Sequence, residues 1–261
     1  MENVTDVDER NGVALVVGGA SGIGRACVEA LEDDGWDVVV ADLKPDRRAP
    51  HGVVVDVRDR DAVEAAIEQV LDAHDRLGTV VYAAGTARVT SLLDIDAAEW
   101  ELVIGVTLTG AFNVLQSCAA HIAPGGSFTF ISSVDSLAPV GGLAHYSAAK
   151  AGGEALVRSA ALELGHLGIR CNAVLPGVVR TPLMAQTLDR PGITEAFIER
   201  TPLGRIGAGE DIASVVAFLA SPAARWISGV SLPVDGGMSL REHPALLDGA
   251  LSKPNARKDN A

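Results

Sequence analysis

Apolar residues in this chain fall into short unbroken runs and into helical stripes, and the two kinds of segment alternate. VALVV (13–17) has the length of a strand and no polar interruption. From Gly22 to about Asp34, apolar Ile23, Ala26, Cys27, Ala30 and Leu31 recur at helical spacing. DVVVAD (37–42) and GVVVDV (52–57) are again strand-like runs, and 59–74 carries Val63, Ile67, Val70 and Leu71 on one helical face. Further strands are predicted at 79–85, 127–133, 169–177 and within 230–237, and further helices at 97–122, 146–167 and 210–221. Strands that are apolar throughout must be covered on both faces, and intervening helices supply the covers. The pattern predicts an α/β fold: a doubly wound parallel sheet of about seven strands with helices on both faces. No linker or repeat breaks the alternation. One domain is expected over 1–261, with its core at about 12–240 and polar tails at 1–10 and 241–261.

Composition narrows the partners. The 261 residues hold 34 acidic and 21 basic side chains, a formal net charge of −13. No basic excess is available to neutralise phosphates, so neither nucleic acid nor an anionic membrane is expected as a partner. The opening MENVTDVDER is polar and acidic, unlike a signal peptide, and no stretch of ~18 uninterrupted apolar residues predicts a membrane span. Cys27, Cys118 and Cys171 are widely spaced, which suggests neither a disulfide framework nor a metal centre. A cytoplasmic protein without a metal is the expectation.

Chemistry enters at GGASGIG, where Gly18, Gly22 and Gly24 lie between the first strand and the first helix. Glycines there allow a tight turn and close approach of a pyrophosphate to the helix N-terminus. The second strand ends in Asp42, about where an acidic residue can accept hydrogen bonds from a ribose. The combination predicts a Rossmann-like dinucleotide site. Asp42 would repel a 2′-phosphate, so NAD is favoured over NADP; Arg47 and Arg48 are read as solvent-facing charges. A second constellation is Tyr146 and Lys150, one helical turn apart. A phenol ionises near pH ~10 and is a poor base at neutrality, but a nearby ammonium favours the phenolate.

Together, GGASGIG, YSAAK, LPGVVRTP and VDGG resemble the short-chain dehydrogenase/reductase family in order and spacing over about residues 12–240. The resemblance implies a hydride transfer between NAD(H) and a secondary alcohol or ketone. It implies Tyr146 as acid/base, Lys150 as the group that lowers its pKa and holds the nicotinamide ribose, and Ser133, thirteen residues before the tyrosine, as the partner of the substrate oxygen. Ser132 and Ser136 fit that spacing less well. For the cofactor it implies Gly18, Ser21, Gly22, Ile23 and Gly24 at the pyrophosphate, and Asp56 and Val57 at the adenine. Ala84 and Gly85 would line the adenosine ribose, and Pro176, Gly177, Val179 and Thr181 the nicotinamide side. A homotetramer, or at least a dimer, is implied through the helices around 97–122 and 146–167.

Three positions depart from the family pattern. Val17 replaces a threonine before the first glycine. Tyr82-Ala83-Ala84-Gly85 replaces Asn-Asn-Ala-Gly, removing two amides that tie strands together. Thr107 stands where the family has a catalytic asparagine that holds a water in a proton relay; a threonine hydroxyl in a helix often bonds the carbonyl four residues back, here Val103, whereas a kinked helix would let a water bridge Lys150 to the Thr107 backbone, and a slower but working relay is expected. Gly105 and Gly110 make a local helix irregularity plausible.

Other candidates have bland readings. His145 is expected at the rim or in the substrate pocket, and His51, His74, His121, His166 and His243 as scattered surface residues. Cys171 is expected as inert core, and Trp100 and Trp226 as packing or interface residues. Segments 86–94, 134–145 and 178–205 should line the substrate side, the last as a lid carrying Leu183, Met184, Leu188, Ile193, Phe197 and Ile198. These suit a largely apolar small alcohol or ketone. The alternatives are an NADPH-dependent 3-oxoacyl carrier-protein reductase and a non-catalytic dinucleotide-binding regulator.

Overall fold

The computed structural model describes residues 12–44 and 52–240. The tails at 1–10 and 241–261, and Arg47, Arg48, His51 and His243, lie outside the described residues. Seven parallel strands form one sheet in the order β3-β2-β1-β4-β5-β6-β7. They are β1 Val13–Val17, β2 Asp37–Asp42, β3 Gly52–Val54, β4 Leu77–Tyr82, β5 Ile122–Ile131, β6 Arg170–Pro176 and β7 Ser231–Val234. The period of two along β1 divides the core: Val13, Leu15 and Val17 join one cluster, Ala14 and Val16 the other.

The first cluster is covered by α2 (Arg60–Ala73), α4 (Gly110–Cys118) and α5 (Ala144–Leu164), the second by α1 (Gly22–Asp33) and α8 (Gly209–Ala220). Side chains mark where helices begin: Asp59 accepts from the Ala62 amide at α2, and Asp96 from the Glu99 amide at α3 (Ala97–Ile104). The lid region 178–205 holds two short helices, α6 (Ala185–Leu188) and α7 (Ile193–Arg200).

The predicted boundaries differ in three places. β3 pairs with β2 only from Gly52 to Val54. β5 begins at Ile122, because a register shift lets it pair with Leu77 before the main ladder starts at Thr79 and Ser127. The predicted helix over 97–122 is interrupted by a π turn at Gly105–Thr109. By length and composition Ala97–His121 is apolar enough to cross a membrane, but 44% of that window is buried and it packs against α2 and α5.

Strand order reverses between β1 and β4, since the chain leaves β1 toward β2 and returns on the other side. The reversal opens a crevice at the carboxyl ends of those strands. Gly18, Asp42, Ala84 and Ser133 all follow or end strands at this edge.

Candidate active site

The glycine turn is built tightly around β4. Gly18 has φ +82°, and a Cβ there would come 2.5 Å from the Ala84 nitrogen. A Cβ on Gly24 would meet the Gly18 oxygen at 2.1 Å. Only glycine fits either place, so the turn lies flat against Ala84. Ser21 caps α1 in extended conformation without a side-chain hydrogen bond, which leaves the first N–H groups of Gly22, Ile23 and Gly24 for an anion. Thr181 stands over Gly22, 3.4 Å from where a Cβ would be. Asp42 receives the Ala20 amide on one oxygen at 3.2 Å and the Lys44 amide on the other at 3.0 Å. Each carboxylate oxygen keeps a lone pair, so the set fits a dinucleotide whose ribose reaches Asp42.

The remaining cofactor candidates divide. Asp56 is gripped by the Arg58 guanidinium, with the shortest contact 2.6 Å, and that partner lowers its pKa. The Val57 carbonyl accepts from Asn113 at 3.0 Å. Val179 forms a parallel bridge with Gly207 that uses the Val178 carbonyl and the Arg180 amide. Pro176 closes β6, and Gly177 follows with its amide on the Val234 carbonyl.

Ser133, Tyr146 and Lys150 meet at the end of β5. Ser133 lies close enough to Tyr146 to lower its pKa. The Ser132 hydroxyl is committed to Glu154 at 2.6 Å and that of Ser136 to the Ser133 carbonyl at 2.7 Å. Lys150 is buried; its Nζ donates to the Ile131 carbonyl at 2.6 Å and lies 5.4 Å from the centre of the Tyr146 ring. Burial drives the Lys150 pKa down to about 7, opposed by the Glu154 carboxylate one turn away. Burial also pushes Tyr146 up to about 12, with the Asp135 carboxylate adding to the rise and Ser133 opposing it.

The lowering of the tyrosine pKa is expected from Lys150 together with the positive charge of a bound oxidised nicotinamide; in the chain alone desolvation by burial is the first cause acting on Tyr146. Reaching a usable phenolate from about 12 takes on the order of 7 kcal/mol, so a further positive charge at the site is required.

A family model described as enoyl-(acyl carrier protein) reductase matches residues 18–239, most of the chain. The chain belongs to the short-chain dehydrogenase/reductase family. It is 36% identical over 254 residues to human (3R)-3-hydroxyacyl-CoA dehydrogenase, covering 88% of this chain and 96% of that one. It is 32% identical over 242 residues to the 3-oxoacyl acyl-carrier-protein reductase of Thermotoga maritima, covering 87% and 97%. Among solved structures, the aldohexose dehydrogenase of Thermoplasma acidophilum superposes with TM-score 0.86 at 29% identity, covering 92% of this chain and 99% of that one. This short-chain dehydrogenase/reductase is thus an oxidoreductase of alcohols and ketones that binds a nicotinamide dinucleotide.

The departures from the family pattern take physical form. Val17 is core, 1% exposed. Tyr82 replaces a lost amide with a longer tie: its hydroxyl donates to the Val106 carbonyl inside the π turn, and its ring stacks on Phe130 at 6.0 Å. A π turn frees backbone carbonyls from the helical ladder, and Tyr82 takes one of them. Thr107 does not bond back to Val103. Its Oγ1 is buried and has no partner, and both it and Lys150 Nζ face Gly85, at 3.9 and 3.4 Å from where a Cβ would be.

His145 is not at the rim. It is fully buried, with Nε2 on Glu99 at 2.9 Å and Nδ1 accepting the Tyr146 amide at 3.0 Å. That amide is an orphan of the first turn of α5, so His145 ties down the N-terminus that carries the tyrosine. Cys171 is buried, and burial pushes its thiol up to about 12, as an inert core residue requires. His121 and His166 are exposed; His74 is half-buried.

Sequence reasoning missed Asp135, Glu154 and Tyr82. Glu154 was detectable as a carboxylate one turn from Lys150. Asp135 stands two residues after Ser133, where its amide donates to Ser133 Oγ at 3.2 Å and Ser133 Oγ donates to its Oδ2 at 3.3 Å. No periodicity marks Tyr82 as a strut.

Proposed function

We propose that this enzyme is an NAD-dependent dehydrogenase of a secondary alcohol, or the corresponding ketone reductase, acting on a largely apolar small molecule. The observation that carries this reading is the buried Lys150, whose Nζ lies 5.4 Å from the centre of the Tyr146 ring, with Ser133 beside the same tyrosine. In this reading Gly18, Ser21, Gly22, Ile23 and Gly24 would hold the pyrophosphate, and Asp42 the adenosine ribose. Asp56, Val57, Ala84 and Gly85 would flank the adenosine. Pro176, Gly177, Val179 and Thr181 would border the nicotinamide. The bound dinucleotide supplies the hydride chemistry.

The chain's own residues handle the proton and the geometry. Ser133 Oγ hydrogen-bonds the reacting oxygen, Tyr146 Oη takes or returns its proton, and the Lys150 ammonium adds positive charge beside it. An oxidised nicotinamide would add the further positive charge that the Tyr146 pKa demands. Lid residues Leu183, Met184, Ile193, Phe197 and Ile198 are partly or largely exposed and support an apolar substrate. Leu188 is buried and belongs to the lid's own packing. A homotetramer is proposed through the helices over 97–121 and α5, and cytoplasmic residence is supported by three buried free thiols.

A 3-oxoacyl carrier-protein reductase is the second reading, favoured by the Thermotoga maritima relative; Asp42 weighs against the NADPH that it would need. Turnover of a panel of secondary alcohols and 3-oxoacyl thioesters with each cofactor tests both. NAD with alcohols should give the higher kcat/KM, and Tyr146→Phe should abolish it with NAD binding almost unchanged. Preference for NADP, or near-native activity of Tyr146→Phe, would refute the reading.

A further inference from the structure

The first turn of α5 carries Tyr146, yet Leu143 at its N-cap offers no side-chain acceptor. The intrahelical ladder opens with the Ser147 amide on the Leu143 carbonyl at 2.8 Å. The Tyr146 amide precedes it and is an orphan donor. Its acceptor is the preceding side chain, His145 Nδ1, at 3.0 Å. The other ring nitrogen, Nε2, meets Glu99 Oε1 at 2.9 Å across 46 residues of sequence. His145 is 0% exposed, so packing holds the ring between these two partners. Glu99 is itself anchored, because its amide donates to Asp96 Oδ1 at 2.8 Å at the start of α3. Just before α3 the Thr90 amide donates to the Gly142 carbonyl at 3.0 Å. These contacts join segments 86–94 and 134–145, the two expected to line the substrate side.

The hydrogen bonds also place the ring proton. Nδ1 accepts an N–H, so it carries no proton, and a neutral ring then carries its proton on Nε2. Glu99 is held below the ordinary carboxylate range, first by the Thr90 side chain and then by His145 and Arg88. At neutral pH it is an anion that can only accept. Nε2–H therefore donates to Glu99, and both contacts select the same neutral tautomer.

We propose that Glu99 and His145 are a positioning pair for Tyr146: the carboxylate orients the ring, and the ring holds the tyrosine backbone so that its hydroxyl meets the reacting oxygen. The inference rests on Tyr146 being the acid/base. Helix ends fray, and fraying of the first turn would swing the far end of the phenol most. Misplacing a catalytic group by about 1 Å can cost on the order of a hundredfold in rate. An acceptor on the Tyr146 amide, fixed in turn to a different helix, removes that freedom.

The test separates the two ring nitrogens. His145→Asn places Oδ1 where Nδ1 stands and loses the reach to Glu99, whereas His145→Gln keeps the reach and gives up the acceptor. With NAD and the best alcohol from the panel above, His145→Gln should lower kcat roughly tenfold or more with little change in KM or NAD affinity. His145→Asn should keep kcat within about threefold of wild type. Independently of turnover, 15N spectra of the cofactor-free protein at neutral pH should show His145 protonated at Nε2 alone. Glu99→Leu should let the Nδ1–H form appear, and Glu99→Gln, which retains an acceptor, should not. Equal kcat for the two His145 variants, or a loss confined to KM, would overturn the positioning role. A wild-type ring protonated at Nδ1, or a tautomer that Glu99→Leu leaves unchanged, would overturn the pair; the wild-type spectrum decides even where a substitution prevents folding. These failures leave the Tyr146 assignment standing; activity retained in Tyr146→Phe would remove that assignment and the positioning pair with it.

Discussion

Lys150→Met measures how strongly the fold resists the charge that its chemistry uses. Lys150 is 3% exposed, and burial takes its pKa from 10.5 to about 7. In the unfolded chain the amine titrates near its ordinary ~10.4. Below about pH 7 both states are protonated, and the folded protein bears the whole cost of the buried ammonium. Between these pKa values the unfolded chain holds a proton that the folded protein has lost, so stability rises with pH. Above both values neither state is charged and the cost is gone.

At about 1.4 kcal/mol per pKa unit, that cost is on the order of 4 to 5 kcal/mol. The methionine variant lacks the group. It also orphans the Ile131 carbonyl, at about 1–3 kcal/mol, but that penalty is the same at every pH. The readout is therefore a slope. Urea unfolding of the cofactor-free proteins, followed by far-UV circular dichroism, should show wild type gaining about 4 kcal/mol on Lys150→Met between about pH 6.5 and 10. A pH-independent difference would refute the claim that Lys150 is forced toward neutrality by burial.

Two further outcomes are expected. Tyr82→Phe keeps the ring on Phe130 but strips the Val106 carbonyl of its donor, so it should lower stability by about 1–3 kcal/mol in the same unfolding assay; an unchanged midpoint would mean that the π turn does not depend on Tyr82. Light scattering at micromolar concentration should report a homotetramer, or at least a dimer, and a monomer would remove the proposed assembly.

The sequence by itself determined the architecture, because its signals are local and periodic. Runs such as Val13–Val17 have to be buried on both faces, and helical stripes such as Val63, Ile67 and Val70 have to cover them. The glycine turn, Asp42 after β2 and the Tyr146–Lys150 pair were legible for the same reason: each depends on spacing along one element or between neighbours. Tertiary structure decided what those residues experience. Tyr82 meets Val106 across 24 residues and His145 meets Glu99 across 46, and no period in the sequence encodes either contact. The back-bond weighed for Thr107 is a property of a regular helix, and the π turn whose Val106 carbonyl accepts from Tyr82 does not provide it. The order of the pKa effects was likewise hidden. Spacing points to Lys150 as a neighbour of Tyr146, whereas desolvation depends on everything packed around the pair, and it is the first cause of the shift at each residue.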